Sequence, residues 1–163
     1  MRFDSANDDA DPNPTLYLDA DGCPVKDESY RVARRYALPV IVVANRHIFT
    51  PREEGIRLQL VAGDPDAADD WIAENVVTDD IVVTPDIPLA YRCIHEGARV
   101  ITPRGRIHDA ASIGSALATR DLMTQLRDQG LEFGGGPAPF GDKQRQRFLQ
   151  KLDEVVQAIR RGV

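Results

Sequence analysis

Short β-branched runs that recur between helix-patterned stretches constrain this chain's fold more than any other feature. The clearest is Pro39 to Ala44, Pro-Val-Ile-Val-Val-Ala, which is apolar without alternation. A strand with one face in water alternates apolar and polar residues, so an unbroken run predicts a strand covered on both sides. Leu16 to Leu18, Ile56 to Val61, Ile81 to Thr84 and Arg99 to Ile101 are further strand candidates. Helical patterns separate them. Pro24 suits a first turn, Asp27 and Glu28 complement the positive end of a helix dipole, and Val25, Val32, Ala33 and Tyr36 form an apolar face. Asp66 opens a second helix through Trp71 and Ala73, and Ile87 to His95 is a third, ending at Gly97. Parallel strands need crossovers, so this order predicts an α/β fold: a parallel sheet with helices on both faces.

Thr102 to Gly105 reads as a turn, Ile113 to Gln129 as a helix, Gly134 to Pro137 as a connector and Asp142 to Arg161 as a last helix. That helix is amphipathic, with Phe148, Leu149, Leu152, Val155, Val156 and Ile159 in one stripe. Residues 1–14 are acidic, polar and twice interrupted by proline, which predicts a disordered leader before a single domain at 15–163. A chain of 163 residues can bury one sizeable core. No run approaches the roughly 18 apolar residues of a membrane span, and no secretory signal is evident, so a cytoplasmic location is expected. Cys23 and Cys93 form no metal-ligand or disulfide pattern and are expected to be reduced and buried.

In an open parallel sheet the binding site lies at the carboxyl ends of the strands. Asp19 ends the first strand and Asp21 follows it. Asp86 follows the strand Ile81 to Thr84, and Asp66 and Asp69 occupy the first turn of a helix. Carboxylates gathered there would repel one another, and a hard divalent cation with oxygen ligands, Mg2+ or Mn2+, would relieve the repulsion. Such an ion activates water and neutralises phosphodiester charge. Helix capping is the alternative reading of Asp66 and Asp86. Asp19 has no cap to make, whereas Asp70, Asp79 and Asp80 read as solvated surface. Lys26 is placed either to meet a substrate phosphate or to pair with a carboxylate. Asn45 and Arg104 follow strands on the same edge, as ligand contacts or as ordinary turn and surface residues. His47, His95 and His108 show no ligand spacing.

Charge is divided along the chain. Residues 1–98 carry 9 basic and 19 acidic side chains, against 11 and 7 in residues 99–163. The division suits a cation-binding cluster beside a phosphate-binding surface, although solvated helix faces account for it equally.

Asp19-Ala-Asp-Gly-Cys-Pro-Val-Lys26, Val43-Ala-Asn45, Asp66-Ala-Ala-Asp69, Thr84-Pro-Asp-Ile-Pro-Leu-Ala90, Pro103-Arg-Gly105, Arg120-Asp121 and Gly135-Gly-Pro137 occur in order. Together they resemble the bacterial YaiI/YqxD family of uncharacterised proteins, from about Leu16 to the final helix. That family is similar to PIN-type nuclease domains in fold and acidic site. The resemblance implies a PIN-like three-layer sandwich and metal-dependent cleavage of nucleic acid, RNA more than DNA. Asp19, Asp21, Asp66, Asp69 and Asp86 would be catalytic, with Asp19, Asp21 and Asp86 holding the metal. Lys26, Asn45, Arg104, Arg120 and Arg145 would contact substrate. Two positions depart from the family pattern: Gln144-Arg145 replaces an Asp-Arg pair, and Gly22 stands where Ala is usual. Leu16 to Gly22 also resembles the nucleophile motif of haloacid-dehalogenase phosphatases, in which Asp19 would attack phosphate and Thr84 supply a hydroxyl. That mechanism wants a lysine and an acidic pair after the threonine strand, whereas Asp64 and Asp66 precede it and Lys143 comes very late. A non-catalytic RNA-binding or interaction module is the third reading.

Overall fold

The computed structural model describes residues 13–64, 66–131 and 139–163. Among them the chain forms six strands and five helices. These are β1 (Leu16–Asp19), α1 (Lys26–Tyr36), β2 (Val40–Ala44), β3 (Ile56–Leu60), α2 (Asp66–Asn75), β4 (Ile81–Val83), α3 (Ile87–His95), β5 (Arg99–Ile101), β6 (Ile107–His108), α4 (Ala110–Asp128) and α5 (Asp142–Arg161). One sheet orders the strands β3-β2-β1-β4-β5-β6. β1 pairs in parallel with both β2 and β4, with Leu16 beside Val40 and Ile81. Every residue of β1, β2 and β4 is buried, as strands without apolar/polar alternation require.

The pleat sends alternate residues to opposite faces. Leu16, Leu18, Val40, Val42, Ile81 and Val83 meet α1 and α5, through Val32 and Ala33 and through Phe148, Leu152 and Val156. Tyr17, Ile41, Val43, Val82 and Val100 meet Ile72 of α2, Leu89 and Cys93 of α3, and Ile113 of α4. The result is the expected three-layer α/β sandwich. Both cysteines are free and buried. No helix among the described residues is long and apolar enough to cross a membrane. The expected leader falls outside the described residues except for Asn13 and Pro14, and the connector Gly134 to Pro137 falls outside them entirely.

Three details differ from the sequence reading. The sheet is not purely parallel, because β6 returns antiparallel to β5, pairing Val100 with His108. Two residues are too few to carry a periodic signal, and the strand is built by its turn. Thr102 N donates to Arg106 O at 2.9 Å, and Gly105 has φ +86°. A Cβ on Gly105 would stand 2.9 Å from Cγ of Arg147, so glycine also lets the turn press against α5. The fourth helix begins at Ala110 rather than Ile113. Asp109 Oδ1 accepts from Ser112 N at 2.8 Å and Asp109 N donates to Ser112 Oγ at 2.9 Å, a capping box that starts the helix three residues early.

Asp80 is the third correction. Expected at the surface, it is 2% exposed. Its carboxylate accepts from Thr15 N and Val77 N, both at 3.0 Å, tying the entries of β1 and β4 together. Asp70 is exposed as expected and Asp79 is half-buried; they pair with Arg92 and Arg99.

Phe148 fills the space between α5 and the sheet with no exposed surface. Phe148→Ala is expected to lower the unfolding free energy by about 3–5 kcal/mol in urea titration, through lost transfer energy and a residual cavity. Leu122→Ala, on the exposed side of α4, should change it by less than about 0.5 kcal/mol.

Candidate functional site

Strand order positions the site. From β1 the chain steps outward through β2 to β3 at one edge, then resumes at β4 on the other side of β1 and steps outward again. Right-handed crossovers running in opposite directions put α1 and α3 on opposite faces. The loops after β1 and β4 therefore diverge, and a crevice opens between them, the usual ligand position in an open α/β sheet.

A cavity of about 540 Å³ fills that crevice. All five candidate catalytic aspartates, Asp19, Asp21, Asp66, Asp69 and Asp86, line it, together with Lys26 and Asn45. Asp19, the last residue of β1, is 5% exposed and shares the pleat direction of Tyr17, toward α2 and α3. Thr84, one residue past β4, donates its hydroxyl to Asp19 Oδ2 at 2.9 Å and accepts from the backbone N–H of Asp86 at 3.0 Å. Asp86 in turn accepts from Leu89 N at 2.8 Å. Both readings of Asp86 thus meet in one side chain, which commits Oδ1 to the N-terminus of α3 while lining the cavity. Asp66 and Asp69 lie in the first turn of α2, and Asp21 is exposed in the turn after β1. Gly22 takes φ +70° in that turn, a conformation glycine adopts without the strain a side chain would add.

Crowding and burial disfavour the charged forms. Asp19 is pushed up to about 6, first by burial and then by Asp86 and Asp21, against the lowering effect of the Thr84 hydroxyl. Asp69 is pushed up to about 7 by burial, then by Asp86, Asp19, Asp66 and Asp70. Lys26 offsets the charge only in part. Its ammonium donates to the carbonyls of Cys23 at 2.9 Å and Ala20 at 3.3 Å, bracing the turn from inside the cavity wall. Although the aspartates share one cavity, no three metal-ligating side chains among the described residues converge closely enough to hold an ion as they stand.

The other candidates lie elsewhere. Arg104 lines a second cavity, which adjoins the first through Gly22 and Pro85. Arg145 docks α5 on α1, donating to Pro24 O at 2.6 Å and Glu28 Oε1 at 3.1 Å. Its neighbour Gln144, at the departure from the family pattern, accepts from Gly141 N at 2.9 Å and so helps to start α5. Arg120 is exposed on α4, 3.8 Å from Asp121. Arg46 and Phe49, which the sequence reading passed over, line the acidic cavity. Phe49 is 85% exposed. The available signal was an aromatic residue inside the basic stretch Arg46 to Arg52.

An acid whose pKa is higher folded than unfolded makes the folded state bind more protons, so stability falls as pH rises through that interval. For Asp19 and Asp69 the interval runs from 3.8 to about 6 and about 7. In chelator, Asp19→Asn should gain on the order of 2 kcal/mol over the unsubstituted chain at pH 8 and almost nothing at pH 4. Asp69→Asn should shift in the same direction. Thermal unfolding at the two pH values checks this, and equal differences at both would refute it.

The chain matches the uncharacterised YaiI/YqxD family over residues 17–158. It is 53% identical over 154 residues to a UPF0178 protein of Azorhizobium caulinodans, covering 94% of this chain and 96% of that one. A UPF0178 protein of Rhodospirillum centenum is 51% identical over 150 residues, 90% of this chain and 97% of its own. One of Brucella ovis is 52% identical over 148 residues, with 90% and 91% covered. No solved structure matches. Matched from β1 into α5 and half identical to these relatives over nearly their whole length, the chain belongs to the uncharacterised YaiI/YqxD family.

Proposed function

We propose that the chain is a metal-dependent nuclease that hydrolyses phosphodiester bonds, with RNA the first substrate and DNA the second. The observation that carries this reading is the gathering of five aspartates, from three separate segments, around one cavity at the point where the strand order reverses. The donor set fits Mg2+ or Mn2+ in chemistry, being hard carboxylate oxygen throughout. The room around it fits an ion that keeps several waters rather than one caged by protein alone. Asp19, Asp21 and Asp86 would hold the ion, which supplies Lewis-acid activation of water and neutralises phosphate charge.

The protein's own groups divide the remaining work. Thr84 holds Asp19 and the Asp86 backbone in fixed relation across β1 and β4. Asp69, half-buried in the same cavity, accepts a proton from attacking water at a carboxylate oxygen. Lys26 presents positive charge to a substrate phosphate, and Asn45 and Arg46 line the same cavity. Phe49 offers an exposed ring on which a base can stack.

One observation favours a second reading. The lack of a ready-made three-ligand group among the described residues suits a module that binds nucleic acid without cutting it. The phosphatase reading fares worse, because Asp19 is buried with one oxygen on Thr84, a poor posture for in-line attack on phosphate.

Labelled RNA and DNA oligomers incubated with Mg2+ or Mn2+ should be shortened by the unsubstituted chain and left whole in chelator. Asp19→Asn combined with Asp86→Asn should slow cleavage by about a hundredfold or more while the far-ultraviolet circular dichroism is unchanged. Asp128→Asn, on exposed α4, should cut normally. Oligomers bound but never shortened would select the binding module, and equal cleavage by the unsubstituted chain and the folded double variant would reject the proposed site.

A further inference from the structure

The second cavity, of about 550 Å³, lies at the ends of β4 and β5 and is walled by Pro24, Pro85, Pro103, Ile87 and Phe140. Its cations are Arg104 and Arg106 from the β5–β6 turn and Arg147 from α5. No carboxylate lines it, and Arg106 and Arg147 make no ion pair among the described residues. The wall is braced, since Gly105 presses its turn directly on Arg147 and the Phe140 ring lies 5.7 Å from the Arg104 guanidinium. His108 borders this cavity and also the one beside Ile107 and Asp109; it is 4% exposed, and neither enclosed ring nitrogen has a hydrogen-bond partner among the described residues. A buried imidazole left so is costly unless something supplies the bond.

We propose that this cavity binds one nucleotide of a nucleic-acid strand, the base against the apolar walls and His108, the phosphate on Arg106 and Arg147. Apolar walls suit a base, and guanidinium forks suit phosphate oxygens. The volume is that of an ordinary small-ligand pocket. Because Gly22 and Pro85 border both cavities, a nucleotide held here places the adjoining phosphodiester over the aspartates, and in this respect the proposal rests on the hydrolytic reading. It adds a residue set, Arg106, Arg147 and His108, that the acidic cavity does not contain.

The test titrates the full chain in chelator with nucleoside 5′-monophosphates, with the corresponding nucleosides, with inorganic phosphate and with a short single-stranded oligonucleotide, using calorimetry. Monophosphates and the oligonucleotide should bind, and nucleoside or phosphate alone should bind about tenfold more weakly or worse. Arg106→Ala with Arg147→Ala should weaken the monophosphate by about tenfold or more, and the Lys versions should recover most of it. Asp19→Asn should leave it unweakened. Inorganic phosphate binding as tightly as the monophosphate would overturn the proposal, as would double-Ala binding equal to that of the unsubstituted chain. Intact cleavage without monophosphate binding would sink the subsite alone. Monophosphate binding without cleavage would sink the hydrolytic reading and leave the subsite standing.

Discussion

The hydrogen bond from Thr84 to Asp19 is the interaction on which the rest of the site depends. It joins the carboxyl ends of two parallel strands that are 65 residues apart in sequence, at the place where the sheet reverses its order. A carboxylate 5% exposed at the end of a buried strand is costly to charge. One hydroxyl is a partial remedy, and Asp19 remains well above the usual carboxylate range. The same hydroxyl accepts from Asp86 N, and Asp86 caps α3, so the helix, both strand ends and the buried acid are fixed as one unit. Rigid placement of this kind is what a reactive or binding site needs from its supporting shell.

Among the described residues, negative charge is concentrated here without the ion pairs that relieve it elsewhere. Glu53 pairs with Arg34 and Asp70 with Arg92 on exposed surface, and half-buried Asp153 pairs with Arg35. The acidic cavity has Lys26, whose ammonium is partly engaged by backbone carbonyls. Basic residues of the second half of the chain gather next door, where Arg104, Arg106 and Arg147 line a cavity with no carboxylate among the described residues. The division of charge along the sequence becomes two adjoining cavities of opposite sign on one sheet edge. On the function proposed above, the basic cavity would take phosphate and the acidic one a cation.

Particular residues show what was legible beforehand. The runs Pro39 to Ala44 and Ile81 to Thr84 announced central strands, because only a strand covered on both faces dispenses with alternation. Asp19, Asp21, Asp66, Asp69 and Asp86 were legible as one group, because a parallel sheet carries all its carboxyl ends on one edge. Strand β6 was illegible, since two residues have no period and its pairing depends on how the Thr102 to Arg106 turn closes. Asp80 was misread as surface because burial of a carboxylate depends on two backbone N–H groups that only the fold brings to it. Arg104, Arg120 and Arg145 looked alike as cations. Packing sent one to a neighbouring cavity, one to solvent and one to the α1–α5 contact.

By itself, then, the sequence determined the α/β class, the succession of elements apart from β6, and the sheet edge on which five aspartates gather. These follow from local periodicity and from the geometry every parallel sheet shares. The tertiary structure alone decided which partners those acids meet, how far their charge is suppressed and where each arginine ends. Hydrogen bonds and Coulomb forces act over a few ångströms, and residues such as Asp19 and Thr84 come within that range only once the intervening chain has packed.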